Sequence, residues 1–141
     1  MQDSEDQFLR KNKDDLEENI NHKEKLLKKA FEFHSKGDIQ EAIKIYQLFI
    51  SKGFSDSRVF LNYGIILQQL GRLKDAEIYT RKAIQLNQNY ALAYSNLGNI
   101  LKDLGKLEEA AIFTRKAIQL VPNFSEAYSN LGTILKDLKK L

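Results

Sequence analysis

Apolar and polar positions alternate along this chain with the period of a helix. In the stretch around residue 94, Tyr94, Leu97, Gly98 and Leu101 fall at spacings of three and four, one face of a helix, while polar residues occupy the opposite side. Gly105 ends that helix, because glycine accepts the left-handed cap at no steric cost. A second stripe follows at Ala110, Phe113, Thr114 and Ala117, and Pro122 closes it where a helix could not continue. The whole pattern then returns. Ala93–Leu104 (AYSNLGNILKDL) reappears as AYSNLGTILKDL at Ala127–Leu138, and TRKAIQL at Thr80–Leu86 reappears at Thr114–Leu120, each 34 residues on. A period of this length marks stacked supersecondary units, each too small to bury its apolar face alone. The spacing predicts helices near 23–36, 40–52, 57–70, 74–87, 91–104, 108–120 and 125–139, with no strand in 57–138. Leu16, Ile20, Lys23 and Leu27 continue the first stripe backwards, so an N-terminal extension is expected from about Asp14.

The units are 23–56, 57–90 and 91–124, followed by half of a fourth at 125–141. Their order of a large apolar residue, Leu-Gly, a second apolar residue, then Ala, an aromatic, Ala and Pro resembles the tetratricopeptide repeat (TPR). Unit 57–90 keeps Phe60, Gly64, Leu67, Gly71, Ala76 and Ala83 but has Gln88 in the proline place. Unit 23–56 departs most, with Lys29 and Ala30 replacing Leu-Gly and Phe49 replacing the later alanine, as a worn terminal unit would. The resemblance implies an all-α, right-handed solenoid of antiparallel helix pairs. In such pairs Gly98 against Ala110, and Gly64 against Ala76, would allow close approach, with Tyr94 and Phe60 filling the wider gap.

The last helix has no second helix after it. Tyr128, Gly132 and Leu135 are therefore expected to present an apolar strip, only partly screened by Lys136, Lys139 and Lys140. Continuation of the polypeptide beyond Leu141 is the first expectation, pairing of two copies through the C-terminal helix the second, and a terminal cap the third.

Composition narrows the function. The balance of 43% hydrophobic and 29% charged residues is that of an ordinary folded domain. The absence of cysteine removes disulfides and thiolate metal sites and favours a reducing compartment, so the expected address is cytoplasmic. No run is apolar enough to span a membrane, and the polar, acidic N-terminus does not read as a secretory signal. Residues 1–22 form an acidic head, partly helical or disordered, with net charge −4; residues 23–141 carry +7 of the overall +3. The acidic head would solubilise the first helix and suit its positive end. A sharper reading lets it fold over the basic array and compete with an acidic ligand.

No catalytic constellation is present. His22 and His34 lack partners at ligand spacing and are expected to be solvated, and adjacent Glu108 and Glu109 point in different directions at a helix start. We therefore expect neither an enzyme nor a cofactor or metal site. Function should lie on the concave groove lined by the first helices of each unit. Asn62, Asn96 and Asn130 occupy one place in three successive units, each able to offer an acceptor and two donors to an extended peptide backbone. Such a ladder resembles the TPR superhelix of O-linked N-acetylglucosamine transferases, and that resemblance implies a groove for extended polypeptide. Beside it, Asn99, Lys102 and Asp103 are matched by Thr133, Lys136 and Asp137 in the next unit and by Ile65, Gln68 and Gln69 in the previous one, a set suited to specificity.

The expected partner is a protein or peptide. The two-carboxylate clamp of chaperone-binding TPR domains requires lysine, asparagine and arginine where this chain has Leu27, Phe31, Asn62, Leu92 and Asn96, so only Asn62 matches. Binding of an acidic chaperone tail is not expected. Nucleic acid is also disfavoured, because Arg81, Lys82, Arg115 and Lys116 fall on second helices, away from the groove.

Overall fold

A computed structural model describes all residues from Met1 to Leu141 and contains seven helices and no strand. They are α1 (Gln2–Lys36), α2 (Ile39–Ser51), α3 (Ser57–Gln69), α4 (Leu73–Leu86), α5 (Ala91–Asp103), α6 (Leu107–Leu120) and α7 (Ser125–Lys139). From α2 onward the ends lie within one residue of the expected spans. The start of α1 does not: the helix runs unbroken from Gln2 rather than from near Asp14. The chain divides into two compact units, Met1–Phe54 and Ser55–Leu141.

The first unit is a helix pair. Its packed seam runs between Leu26 and Ala30 on α1 and Ala42, Tyr46 and Phe49 on α2, all buried. Phe31 lies against Tyr46, and Phe49 against Phe54, with ring centroids 6.5 and 5.4 Å apart. Here His34 departs from the expectation of a solvated side chain. Its Nδ1 is 2.8 Å from the Tyr46 hydroxyl, the rings meet edge to face, and burial pushes the imidazole pKa below its ordinary value. The departure follows from the helical period, since His34 sits four residues after Ala30 on the buried face. His22 remains exposed, with its ring edge against Phe54.

The second unit stacks α3 to α7. Leu97, Leu101, Ala110, Ala111, Leu131 and Ile134 form one continuous buried cluster that draws on α5, α6 and α7 together. Burying the four large aliphatic side chains among them, Leu97, Leu101, Leu131 and Ile134, is worth about 1.5–3 kcal/mol each. Close approach within a pair is set by glycine meeting threonine. A Cβ added at Gly98 would overlap Thr114 Oγ1 and stand 3.2 Å from the Ala110 carbonyl oxygen; at Gly64 it would stand 2.6 Å from Thr80 Oγ1. The expected Gly–Ala contact is thus a contact with the alanine's backbone, and the side chain that fills the glycine's notch belongs to the threonine one turn later. Thr114 donates its hydroxyl to the Ala110 carbonyl at 2.8 Å, which satisfies it inside the seam.

Helix ends are fixed by local chemistry. Gly71 and Gly105 both have φ near +79°, and the residue after each closes the turn, Arg72 N–H donating to Leu67 O at 2.9 Å and Lys106 N–H to Leu101 O at 2.8 Å. At the start of α3, Asp56 Oδ1 accepts from the Arg58 amide at 2.9 Å. Burial alone would raise that carboxyl, but the hydrogen bonds and charge of Arg58 hold it below its usual value.

Candidate functional site

Within the second unit, α3, α5 and α7 are the first helices of successive pairs, and α5 contacts both of the others. Helical geometry puts Asn62, Asn96 and Asn130 on the side of these helices turned away from the Gly–Thr notches. All three are half-buried. Each keeps part of its surface open to solvent. Asn130 Nδ2 donates to Ser95 Oγ at 3.3 Å, and Ser95 is fully buried on α5. Asn96 Nδ2 is buried with no hydrogen-bond partner, and only the nitrogen of that amide is so covered.

The repeat explains the difference. The residue one unit before Ser95 is Leu61, also fully buried, so Asn96 reaches back towards a position that carries no hydroxyl. An unpaired buried N–H of this kind costs about 1–3 kcal/mol. Ser95 was the one residue of the site that sequence reasoning did not single out. Its signal was available in the Ser-Asn pair repeated at Ser95–Asn96 and Ser129–Asn130.

The flanking candidates fall into two groups. Gln68 on α3 donates through Nε2 to Asp103 Oδ2 on α5 at 3.4 Å, and Lys102 Nζ lies 3.9 Å from Asp103 Oδ1. Asp103 thus ties the half-buried Gln68 and Lys102 into one polar patch. Asn99 is half-buried on the same helix, whereas Lys136 on α7 is exposed. Thr133, the counterpart of Asn99, turns its hydroxyl back to the Ser129 carbonyl at 3.2 Å.

On the second helix α4, Arg81 spends its charge internally. Arg81 on α4 pairs with Glu77 at 2.9 Å and with Glu109 on α6 at 2.6 Å, and its guanidinium lies 5.2 Å from the Phe113 ring centroid. Lys106 adds a second bond to Glu77 at 3.2 Å. Burial would raise the Glu77 carboxyl, but Arg81 and Lys106 hold it below its usual value. An arginine engaged by two carboxylates is a poor phosphate ligand. No group of three or more His, Asp or Glu side chains stands at metal-binding separation, and no helix is long and apolar enough to cross a membrane.

Antiparallel helix pairs repeating every 34 residues, with a periodic polar file on the first helix of each, define an α-helical repeat array. Tetratricopeptide repeat profiles match residues 26–50, 57–90 and 91–124, and the chain belongs to the tetratricopeptide repeat family. Its fold is the all-α TPR solenoid of helix pairs. No curated protein matches the sequence closely enough to count as a relative. Among solved structures, the first TPR of Spaghetti (RPAP3) bound to the HSP90 peptide SRMEEVD is similar at TM-score 0.76 and 28% identity, over 83% of this chain and 93% of that one. MamA is similar at TM-score 0.78 and 25% identity, over 90% and 74%. The Thermobaculum terrenum O-GlcNAc transferase is similar at TM-score 0.72 and 25% identity, covering 80% of this chain but 22% of that much longer one.

Proposed function

We propose that the chain is a protein-interaction module that binds an extended polypeptide along the first-helix face of α3, α5 and α7. The observation that carries this reading is the file of Asn62, Asn96 and Asn130 at 34-residue spacing on three successive helices. At Asn96 and Asn130 the nitrogen is turned into the array, so the amide oxygen is the atom offered to a ligand, an acceptor for peptide N–H groups that is indifferent to side-chain identity. Gln68, Asn99 and Lys102 supply the adjoining polar contacts, and Lys136 extends them on α7. The similar domain of Spaghetti holds a chaperone peptide ending in EVD. Leu27, Phe31 and Leu92 occupy this chain's clamp positions, so the ligand proposed here is held by its backbone rather than by a terminal carboxylate.

The test is selection of a peptide from a random displayed library on the wild-type chain, followed by titration of that peptide against variants. Asn96→Ala is expected to raise Kd about fivefold, the equivalent of one net hydrogen bond of ~1 kcal/mol. A selected peptide that binds equally well to the triple Asn62→Ala/Asn96→Ala/Asn130→Ala variant sinks the reading. A second reading, pairing of two copies through α7, rests on the exposure of Tyr128 and Leu135 and predicts a dimer that Leu135→Lys dissolves.

A further inference from the structure

We propose that the open face of α7 is a docking site for one helix of another protein, a helix with the small-residue seam that covers α3 and α5. The repeat supplies the template. The stripes Phe60–Gly64–Leu67 on α3 and Tyr94–Gly98–Leu101 on α5 are covered by α4 and α6, and all six residues are buried. On α7 the same stripe is Tyr128, Gly132 and Leu135, and all three are exposed, Tyr128 at 51% and Leu135 at 37%. The helix is held by its other side, where Ala127, Leu131 and Ile134 are buried in clusters shared with α6. The exposed stripe is therefore half of an interface whose complete form occurs twice in the same molecule.

The covering helix is specified by what α4 and α6 have in common. Each presents an alanine, an aromatic three residues on, a threonine at four and an alanine at seven: Ala76, Tyr79, Thr80 and Ala83 on α4, and Ala110, Phe113, Thr114 and Ala117 on α6. The alanines and threonines of both seams are fully buried. Thr80 and Thr114 fill the notches at Gly64 and Gly98, whereas a Cβ at Gly132 would meet nothing within 4 Å. The rings of Tyr79 and Phe113 stack on Phe60 and Tyr94 with centroids 6.1 and 6.2 Å apart. Tyr128 offers a ring at the same place, anchored by its hydroxyl, which donates to the Pro122 carbonyl at 2.9 Å.

Charge adds a further requirement. An acid stands directly before each seam, Asp75 on α4 and Glu109 on α6, and Glu109 reaches Arg81 on the preceding second helix at 2.6 Å. Arg115 is the next arginine of that series. It is exposed, and Ala111 stands where Arg81 has Glu77, so the repeat assigns it a carboxylate on the incoming helix. A second copy of this chain does not offer such a seam on an exposed helix, because α4 and α6 have theirs buried and residues 2–22 of α1 contain no alanine. The ligand is thus an amphipathic helix that presents an acid and a small residue in succession, then an aromatic, threonine and alanine at the spacing of α6.

Titration of the full chain with a synthetic peptide of residues 106–121, which carries the α6 seam, tests the site through amide chemical shifts. The expected result is saturable binding below about 1 mM, with the shifts concentrated at Tyr128, Gly132 and Leu135. Gly132→Leu, which the open surroundings of that glycine allow to fold, should weaken binding roughly tenfold, as should Thr114→Leu in the peptide. Arg115→Glu should weaken it about threefold, less at high salt, and Glu109→Lys in the peptide should restore it. The Asn62→Ala/Asn96→Ala/Asn130→Ala variant should still bind the peptide, which separates this face from the first-helix groove. No saturation up to about 1 mM overturns the proposal. So does binding that Gly132→Leu leaves intact, binding lost in the asparagine variant, or a dimer dissolved by Leu135→Lys that excludes the peptide.

Discussion

Asn96 and Asn130 have the same sequence neighbours and different hydrogen-bond fates, because what matters is the residue one unit earlier. Asn130 finds Ser95 and Asn96 finds the place of Leu61. Asn130→Ala should therefore cost stability, about 0.5–1.5 kcal/mol for the lost bond, while Asn96→Ala should cost little because it removes an unpaired buried donor. Urea unfolding of the two variants side by side checks the difference, and equal losses would count against it. The glycines give a second contrast. Gly98→Ala forces a Cβ into Thr114 and the Ala110 carbonyl and should destabilise by about 1–3 kcal/mol, whereas Gly132 has nothing within 4 Å, so Gly132→Ala should stabilise by about 0.5–1 kcal/mol through helix propensity. His34 supplies a pH dependence. Its pKa is lowered in the folded chain from the ordinary 6.5, so the unfolded chain takes up the proton more readily. Stability is complete above the unfolded pKa and is lost as pH falls below it towards the folded value. The denaturation midpoint should drop between about pH 7.5 and about pH 5.5, and the drop should shrink in His34→Gln.

At the scale of helices, Arg81, Glu77, Glu109 and Lys106 join α4 to α6. These groups are partly exposed, so the network is a modest brace: Arg81→Met should lower stability by less than about 1 kcal/mol, and the loss should fade in high salt, as melting curves across salt concentrations would show. The elements themselves were readable from sequence because apolar period, glycine stops and the 34-residue return all agree; Gly71 and Gly105 mark their stops through a backbone conformation that few other residues tolerate. What could not be read were the contacts made between elements. Spacing located Gly98 and Ala110 on facing helices but not the rotation that brings Thr114 into the notch. The same limit hid the Tyr46 partner of His34 and the role of Ser95. The start of α1 was misplaced for a different reason: residues 2–13 show little apolar periodicity, yet nothing in them breaks a helix.

For the molecule as a whole, nearly identical sequence is set in two different surroundings. Ala93–Leu104 and Ala127–Leu138 differ at one position, Asn99 against Thr133. Yet Tyr94 is 8% exposed and Tyr128 51%, and Ser95 is fully buried whereas Ser129 is exposed. Intrinsic propensity, side-chain volume and unprotected exchange chemistry are therefore almost cancelled between the two segments. The amides of Leu97 and Leu131 should exchange with solvent deuterium at rates whose ratio reports the free energy that one helix gains from a neighbour on its second side, with Leu131 the faster. The chain thus carries its own reference compound: α7 records what the repeat is worth at the margin of a stack, α5 what it is worth inside, and a single exchange experiment on unmutated protein reads the coupling between them.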